Sequence, residues 1–305
     1  MDRPIVSIII PCFNYGSFLQ QALLSLKNQT FQNWECIIVD DCSSDDSIQI
    51  IRDFVSKDSR YSYVQHTENL GVSAARNSAL RIARGEFIQL LDADDAIAPD
   101  KLSIHVKYLN SNSGIDIVYS DFFHFSNHID FSSNGEYLKD EKLGGSSSKV
   151  LRRLLSGNVF RLNTMLIRRH VFQQGAFNEI FRSVEDWEFW MRSAAKGFFF
   201  AYLDNADAKS AVRINPNGLS KDAVVMRRYY LPVLQEIWSL NGLTLSNRNL
   251  LWLRYLQVFF DRLFFGKGEI IFTENHKGPF MIRLAVLAIF TWPFFLLYKL
   301  IRLIR

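Results

Sequence analysis

Apolar positions in the first 120 residues follow two alternating rhythms. Short β-branched or aromatic runs at Ile5–Ile10, Trp34–Val39, Tyr61–His66, Phe87–Leu91 and Ile115–Tyr119 predict strands. Between them, Ser17–Lys27 (apolar at Phe18, Ala22, Leu23 and Leu26), Asp45–Val55 (acidic in its first turn) and Val72–Ala83 predict helices. Pro11 ends the first run, and Pro99 stands where a helix accepts proline, in its first turn. This alternation predicts βαβ units, and so an α/β fold with a mostly parallel central sheet flanked by helices. Ligands of such sheets bind beyond the carboxyl ends of the strands. Three predicted strand ends carry distinctive polar residues: Pro11–Asn14, Asp40–Asp41 and Asp92–Asp95. If the strands run parallel, all three lie on one rim.

Further along, residues 126–148 are rich in Ser, Asn and Gly and predict a loop. Asn163–Ile167 and Phe198–Leu203 are strand-like. Val184–Lys196 predicts a helix with Trp187, Trp190, Met191 and Ala194 on one face, and "RINPNGLSK" (213–221) predicts a turn-rich loop. From Ala223 onward long helical patterns interleave aromatics with arginine. Leu284–Tyr298 carries no charge, is interrupted by Pro293, and is flanked by Lys277, Arg283, Lys299, Arg302 and Arg305. It approaches the ~20 residues that span a bilayer. Basic residues on both sides favour an in-plane or re-entrant arrangement over a simple span. The mixture of aromatics and arginines in Leu250–Gly268 suits an interfacial helix. Helices that cover the preceding domain or form a dimer are the alternative.

Composition narrows this modestly. The chain has 305 residues, 48% hydrophobic and 22% charged, with a net charge of +4. That is ordinary for a folded domain with an appendage, and no basic block or motif points to nucleic acid. Three cysteines, Cys12, Cys36 and Cys42, lack metal spacing and indicate a reducing compartment. The first apolar run is too short for a signal peptide, so a cytoplasmic location is expected, at the inner membrane face if the C-terminal helices bind lipid. The six histidines, His66 among them, form no ligand set and are read as structural or surface residues.

Asp92, Asp94 and Asp95 pose a physical question, because like charges gathered at the end of an apolar strand repel. A divalent Mg or Mn ion relieves that repulsion, and Mg is usually held by one or two carboxylates plus substrate phosphates. The plainer reading is a solvated acidic turn capping the next helix.

The stretches "VSIIIPCFNYGSFLQQALLSLKNQTFQNWECIIVDDCSSDDS" and "ENLGVSAARNSALRIARGEFIQLLDADD" resemble the inverting family-2 glycosyltransferases of GT-A fold, over roughly residues 4–215. "SVEDWEFWMR" resembles that family's acceptor-side Glu-Asp motif. The resemblance implies a nucleotide-sugar donor, UDP favoured, and a divalent metal. It implies a glycan or lipid-linked acceptor, as in cell-surface polysaccharide synthesis. By position, Pro11, Phe13 and Asn14 line the nucleotide. Asp41, preceded by Asp40, accepts from a uracil N–H, and Arg76 lies near the nucleotide. Asp92, Ala93 and Asp94 form the Asp-x-Asp motif with Asp94 as the direct metal ligand. Asp186 is the base, with Glu185 as the other candidate. Asp95, Trp187 and Arg213 are candidate acceptor or phosphate contacts. The expected organisation is a catalytic domain over 1–222, split into a nucleotide-sugar half (1–121) and an acceptor half (122–222), then a helical, membrane-associated region over 223–305.

Plainer roles exist for most of these residues: a loop cap for Asp41, a salt bridge for Arg76, a capping box for Ser183–Asp186, and core packing for Trp187 and Trp190. The small residues Ser73, Ala74 and Ala75 beside Arg76 permit close helix approach and favour a buried role. Among rival functions, a dinucleotide-binding dehydrogenase lacks its Gly-x-Gly-x-x-Gly, since "PCFNYGSF" follows the first strand. An aspartyl-phosphate phosphotransferase, a polyprenyl-phosphate sugar synthase and a non-catalytic scaffold of the same fold are the remaining alternatives.

Overall fold

The computed structural model describes residues 3–131, 142–215, 228–241 and 243–265, with side chains to residue 259. In chain order the elements are β1 (Val6–Cys12), α1 (Gly16–Lys27), β2 (Trp34–Asp40), α2 (Ser47–Lys57), β3 (Tyr61–Gln65), α3 (Val72–Ile82), β4 (Phe87–Leu90), β5 (Ala96–Ile97), α4 (Lys101–Ser111), β6 (Ile117–Tyr119), β7 (Phe122–Phe125), α5 (Ser147–Leu154), β8 (Met165–Arg168), α6 (His170–Gln173), α7 (Glu185–Ala195), β9 (Phe200–Tyr202), β10 (Ser210–Arg213), α8 (Tyr230–Ser239) and α9 (Leu245–Phe265).

Seven strands form one sheet in the order β3-β2-β1-β4-β8-β6-β9. β3, β2, β1 and β4 are parallel; β8 is antiparallel to both β4 and β6, and β9 is parallel to β6. β8 is therefore the one reversed strand, and the expected mostly parallel sheet is present. Both faces are covered. Val6, Ile8 and Ile10 of β1 pack with α1, α2 and α4, while Ile9 packs with α3 and α7. Burial on both faces is why these strands read as continuous apolar runs.

β1 does not stop at Pro11 but continues to Cys12. β4 pairs with β1 only as far as Ile9↔Leu90, whereas β2 continues through Pro11↔Val39. Ile9 O accepts from Leu91 N on the β4 side, and Pro11 faces the same side, where its missing N–H has no ladder to serve. The helix predicted from Asp45 starts at Ser47. Asp45 precedes it, accepting from Gly16 N–H (2.9 Å) and Ser47 N–H (3.0 Å) and so joining the starts of α1 and α2.

A second sheet, β5-β10-β7, is absent from the sequence reading. α8 and α9 add Leu231, Leu234, Leu251 and Tyr255 to the core that holds α5 and α7. α9 packs against α8 and α5. Among the described residues no helix is long and apolar enough to cross a membrane. Leu284–Tyr298 and Lys221, together with residues 132–141 of the predicted loop and most of 223–305, lie outside the described residues.

At the rim opposite the strand carboxyl ends, Gly85 N–H donates to Ser7 Oγ (2.7 Å), which donates to Glu35 (2.7 Å). A Cβ on Gly85 would stand 2.4 Å from the Ser7 backbone nitrogen. Gly85→Ala should lower unfolding free energy by about 3 kcal/mol, as overpacking against backbone does. Gly114→Ala, where a Cβ meets nothing within 4 Å, should change it little. Denaturant titration of both variants checks this.

Candidate active site

The carboxyl ends of β1, β2 and β4 converge as predicted. Asp41 N–H donates to Cys12 O (2.8 Å), tying the ends of β1 and β2 together. Phe13 is exposed at this rim and Pro11 half-buried. Asn14 adopts a left-handed backbone (φ 58°), and its Oδ1 accepts from Ser44 N–H at 2.7 Å, so it locks the β1 turn to the β2 turn.

Asp40 is fully buried. Its Oδ1 accepts from Ser43 N–H (3.3 Å), while Oδ2 has no partner among the described residues. Asp41 is buried and well occupied. Oδ1 accepts from His66 Nδ1 (2.7 Å) and Leu70 N–H (2.9 Å), and Oδ2 from Gly71 N–H (2.8 Å). Gly71 reaches it through a positive φ of 92°, which a side chain would oppose. A carboxylate has about four acceptor positions, so one remains, on Oδ2. His66, just past the edge strand β3, passes the tie to Ser78 of α3 (2.9 Å).

Arg76 organises the opposite side. α3 is buried from Ser73 to Ala79, and its small residues let it press between the sheet and the 177–185 segment. Ser73 donates to Phe181 O, and Asn77 exchanges hydrogen bonds with the Phe177 backbone (2.9 Å each way). The Arg76 guanidinium, 2% exposed, donates to Asp92 Oδ1 (2.8 Å) and Glu185 Oε1 (2.7 Å). A residue expected beside the nucleotide therefore points at carboxylates from two distant parts of the chain.

The Asp92–Asp95 group divides. Asp92 is two-fifths exposed, and Oδ1 is its engaged oxygen among the described residues. Ala93 is buried. Asp94 is half-buried; its side-chain hydrogen-bond partner among the described residues is Asn215, at 3.5 Å. Burial, and then the Asp92 charge, push the Asp94 pKa up to about 6. Tyr15 faces the same carboxylates; burial followed by Asp94 and Asp92 raises its pKa to about 12. Asp95 is internal. It accepts from Asn163 Nδ2 (3.0 Å) and Arg213 N–H (2.8 Å), and burial drives its pKa well upward. One oxygen is engaged by the turn before β8 and the other by β10, which accounts for the third carboxylate without a ligand.

Two other candidates are turned onto the chain itself. Arg213 donates to Asp94 O (3.1 Å), Ser126 O and Gln21, and lies over the rings of Phe18 and Phe125. Trp187 is buried, its indole donating to Leu154 O (2.8 Å), and its ring packs on Tyr230. Core packing is thus the fate of Trp187, and likewise of Trp190.

α7 begins at Glu185, and the residue before it, Val184, is left-handed (φ 59°). The expected capping box does not form: the Ser183 Oγ is buried without a partner among the described residues. The unusual φ of a β-branched residue turns Glu185 toward Arg76. Asp186 is part-buried, and its carboxylate accepts from Asn158 Nδ2 (2.6 Å) and Trp187 N–H (2.7 Å). Burial, with Glu185 next, pushes its pKa up to about 7, against the pull of Arg76, the Trp187 amide and Asn158. Asn158 carried no signal in the sequence, because nothing in "SGNVF" marks it as facing a carboxylate 28 positions away.

Arg76→Met should leave Glu185 and Asp92 without their buried cation and destabilise the fold by about 3 kcal/mol or more. Arg76→Lys should recover only part, since an ammonium lacks the planar fork that reaches both carboxylates. Urea unfolding of the three proteins measures the difference.

A set of carboxylates spanned by one buried arginine thus lies on the ligand rim of an α/β sheet, and comparison with known proteins identifies the family. The family model described as glycosyl transferase family 2 matches residues 7–174. A glycosyltransferase of Haemophilus influenzae is 35% identical over 229 residues, covering 73% of this chain and 84% of the relative. The structure of Staphylococcus aureus TarS in complex with UDP-GlcNAc superposes with a TM-score of 0.66 at 22% identity, covering 85% of this chain and 74% of that one. A mannosyltransferase of Pyrobaculum calidifontis in complex with GDP-Man and Mn2+ gives 0.60 at 16% identity, covering 96% and 81%. These two structures share the GT-A fold with this chain. On the span of the family match and the identity to its relative, the chain belongs to glycosyl transferase family 2.

Proposed function

We propose that this glycosyltransferase moves a sugar from a nucleotide-diphosphate sugar, with uridine diphosphate as the favoured carrier, to a hydroxyl of a glycan or lipid-linked acceptor, with inversion. The observation that carries the reading is the Arg76 clamp. It sets Asp92, beside Asp94, against Glu185, beside Asp186, around one guanidinium. Donor and acceptor groups thereby belong to one site. The nucleotide sugars held by TarS and by the Pyrobaculum mannosyltransferase support the donor class.

On the donor side, exposed Phe13 offers a ring to a base, and the remaining acceptor position on Asp41 Oδ2 suits a base N–H. The residues fit a divalent Mg or Mn ion. Asp94 is a half-buried oxygen donor whose side-chain partner among the described residues is Asn215 at 3.5 Å, and Asp92 keeps one oxygen outside the Arg76 pair. No cluster of three or more metal-binding side chains occurs among the described residues. Two carboxylates completed by substrate phosphates are the donor set expected for Mg. When bound, such an ion neutralises charge on the departing diphosphate.

On the acceptor side, Asp186 is the base. Glu185 is committed to Arg76 and Asp186 is not. A carboxylate with a pKa of about 7 is basic enough to take a hydroxyl proton near neutral pH, yet largely unprotonated just above it. One base and one displacement invert the anomeric centre, unlike the two flanking carboxyls of a glycosidase.

Asp94→Ala should abolish metal-dependent binding of UDP in calorimetry, with stability retained. Asp186→Asn should keep that binding and lower transfer by about 10²–10⁴-fold, measured with a panel of nucleotide sugars and acceptors; full transfer by this variant removes Asp186 as the base. Because the base must be unprotonated, the wild-type rate should fall about tenfold per pH unit below pH 7 and level off above it. A flat profile between pH 5 and 9 would contradict the assignment.

A further inference from the structure

We propose that Asn158 is a positioning residue for Asp186, fixing the carboxylate's orientation with a neutral donor and leaving one lone pair on each oxygen for the acceptor hydroxyl. This rests on the reading of Asp186 as the base. The contact is short, 2.6 Å from Asn158 Nδ2 to Asp186 Oδ2, and the Trp187 amide holds Oδ1 at 2.7 Å. Two of about four acceptor positions are thus used.

The Asn158 amide is itself fixed. Its Oδ1 accepts from Phe160 N–H at 3.1 Å, so the nitrogen must face the carboxylate; the flipped amide would set oxygen against oxygen. Phe160 is anchored in the core, stacked on Phe200 at 5.4 Å and edge-on to Trp190. On the other side of Asn158, Gly157 N–H donates to Leu154 O, the carbonyl that also receives the Trp187 indole. The turn carrying Asn158 and the first turn of α7 therefore hang from one carbonyl.

The two adjacent carboxylates have partners of different kinds. Glu185 has a cation, and Asp186 has a neutral amide from the 155–160 segment, which carries no charge. Glu185 on its own helix and Arg76 on α3 are the charged groups acting most strongly on Asp186; none of the strongest influences comes from α5 or α8, which also pack on α7. A neutral donor orients a carboxylate while reducing its basicity less than a cation would.

The test is a titration of the full chain carrying 13Cγ-labelled aspartate, with the Asp186 signal assigned by Asp186→Asn. In Asn158→Ala the Asp186 midpoint should rise by about one unit, the loss of one hydrogen bond to a charged acceptor. Asn158→Ser, which keeps a short donor, should restore part of it. Asn158→Asp should give a two-step titration of a coupled pair. Metal-dependent UDP binding should stay within twofold of wild type throughout. An Asp186 midpoint in Asn158→Ala and Asn158→Ser that matches wild type overturns the proposal. If Asp186→Asn keeps full transfer, the base assignment itself fails. An unmoved midpoint beside an inactive Asp186→Asn removes only the role of Asn158.

Discussion

The site depends on one buried cation. Removing a guanidinium from water carries a large desolvation cost, which the fold offsets only by bringing carboxylates to it. Arg76 finds one at the end of β4 and one at the start of α7, at 2.8 and 2.7 Å. These residues are 16 and 109 positions away along the chain. The pairing constrains everything around it. α3 must sit deep, so its face is made of Ser and Ala, and the 177–185 segment must close over it, which Asn77 secures by bonding the Phe177 backbone in both directions. The same clamp distinguishes members of each acidic pair. It engages Asp92 and Glu185, while burial raises the pKa values of Asp94 and Asp186 to about 6 and 7.

Backbone strain follows the same geography. The three non-glycine residues with positive φ among those described are Asn14, Cys42 and Val184. The first two follow β1 and β2 at the rim of the strand carboxyl ends, and the third precedes Glu185 and Asp186. A valine in the left-handed region is costly, and Ser183 beside it has a buried hydroxyl with no partner among the described residues. Strain of this kind persists where surrounding contacts over-determine the conformation. Here those contacts are the Arg76–Glu185 pair and the core packing of Trp187.

Much of this was legible in the order of residues. Alternating apolar rhythms marked the βαβ units, and the polar residues at three strand ends marked the rim. The small residues around Arg76 marked it as buried. What stayed illegible depends on partners distant in the chain. Asp95 reads like Asp92 and Asp94, yet its role is set by Asn163 and Arg213. Ser183–Asp186 reads as a capping box, but Glu185 is drawn to Arg76 instead. Pro11 reads as a strand end, yet β1 continues because β4 has already ended beside it. The short strands β5, β7 and β10 pair two to four residues at a time, too few to show a period.

The sequence alone determined the βαβ elements of the main sheet, its mostly parallel character, the family motifs and which residue types reach the rim, because periodicity and turn chemistry are local. Tertiary structure decided which carboxylate meets which partner. Charge state and orientation follow from burial and from the nearest donor, and those donors arrive from elsewhere in the chain: Arg76 for Asp92 and Glu185, Arg213 for Asp95, Asn158 for Asp186.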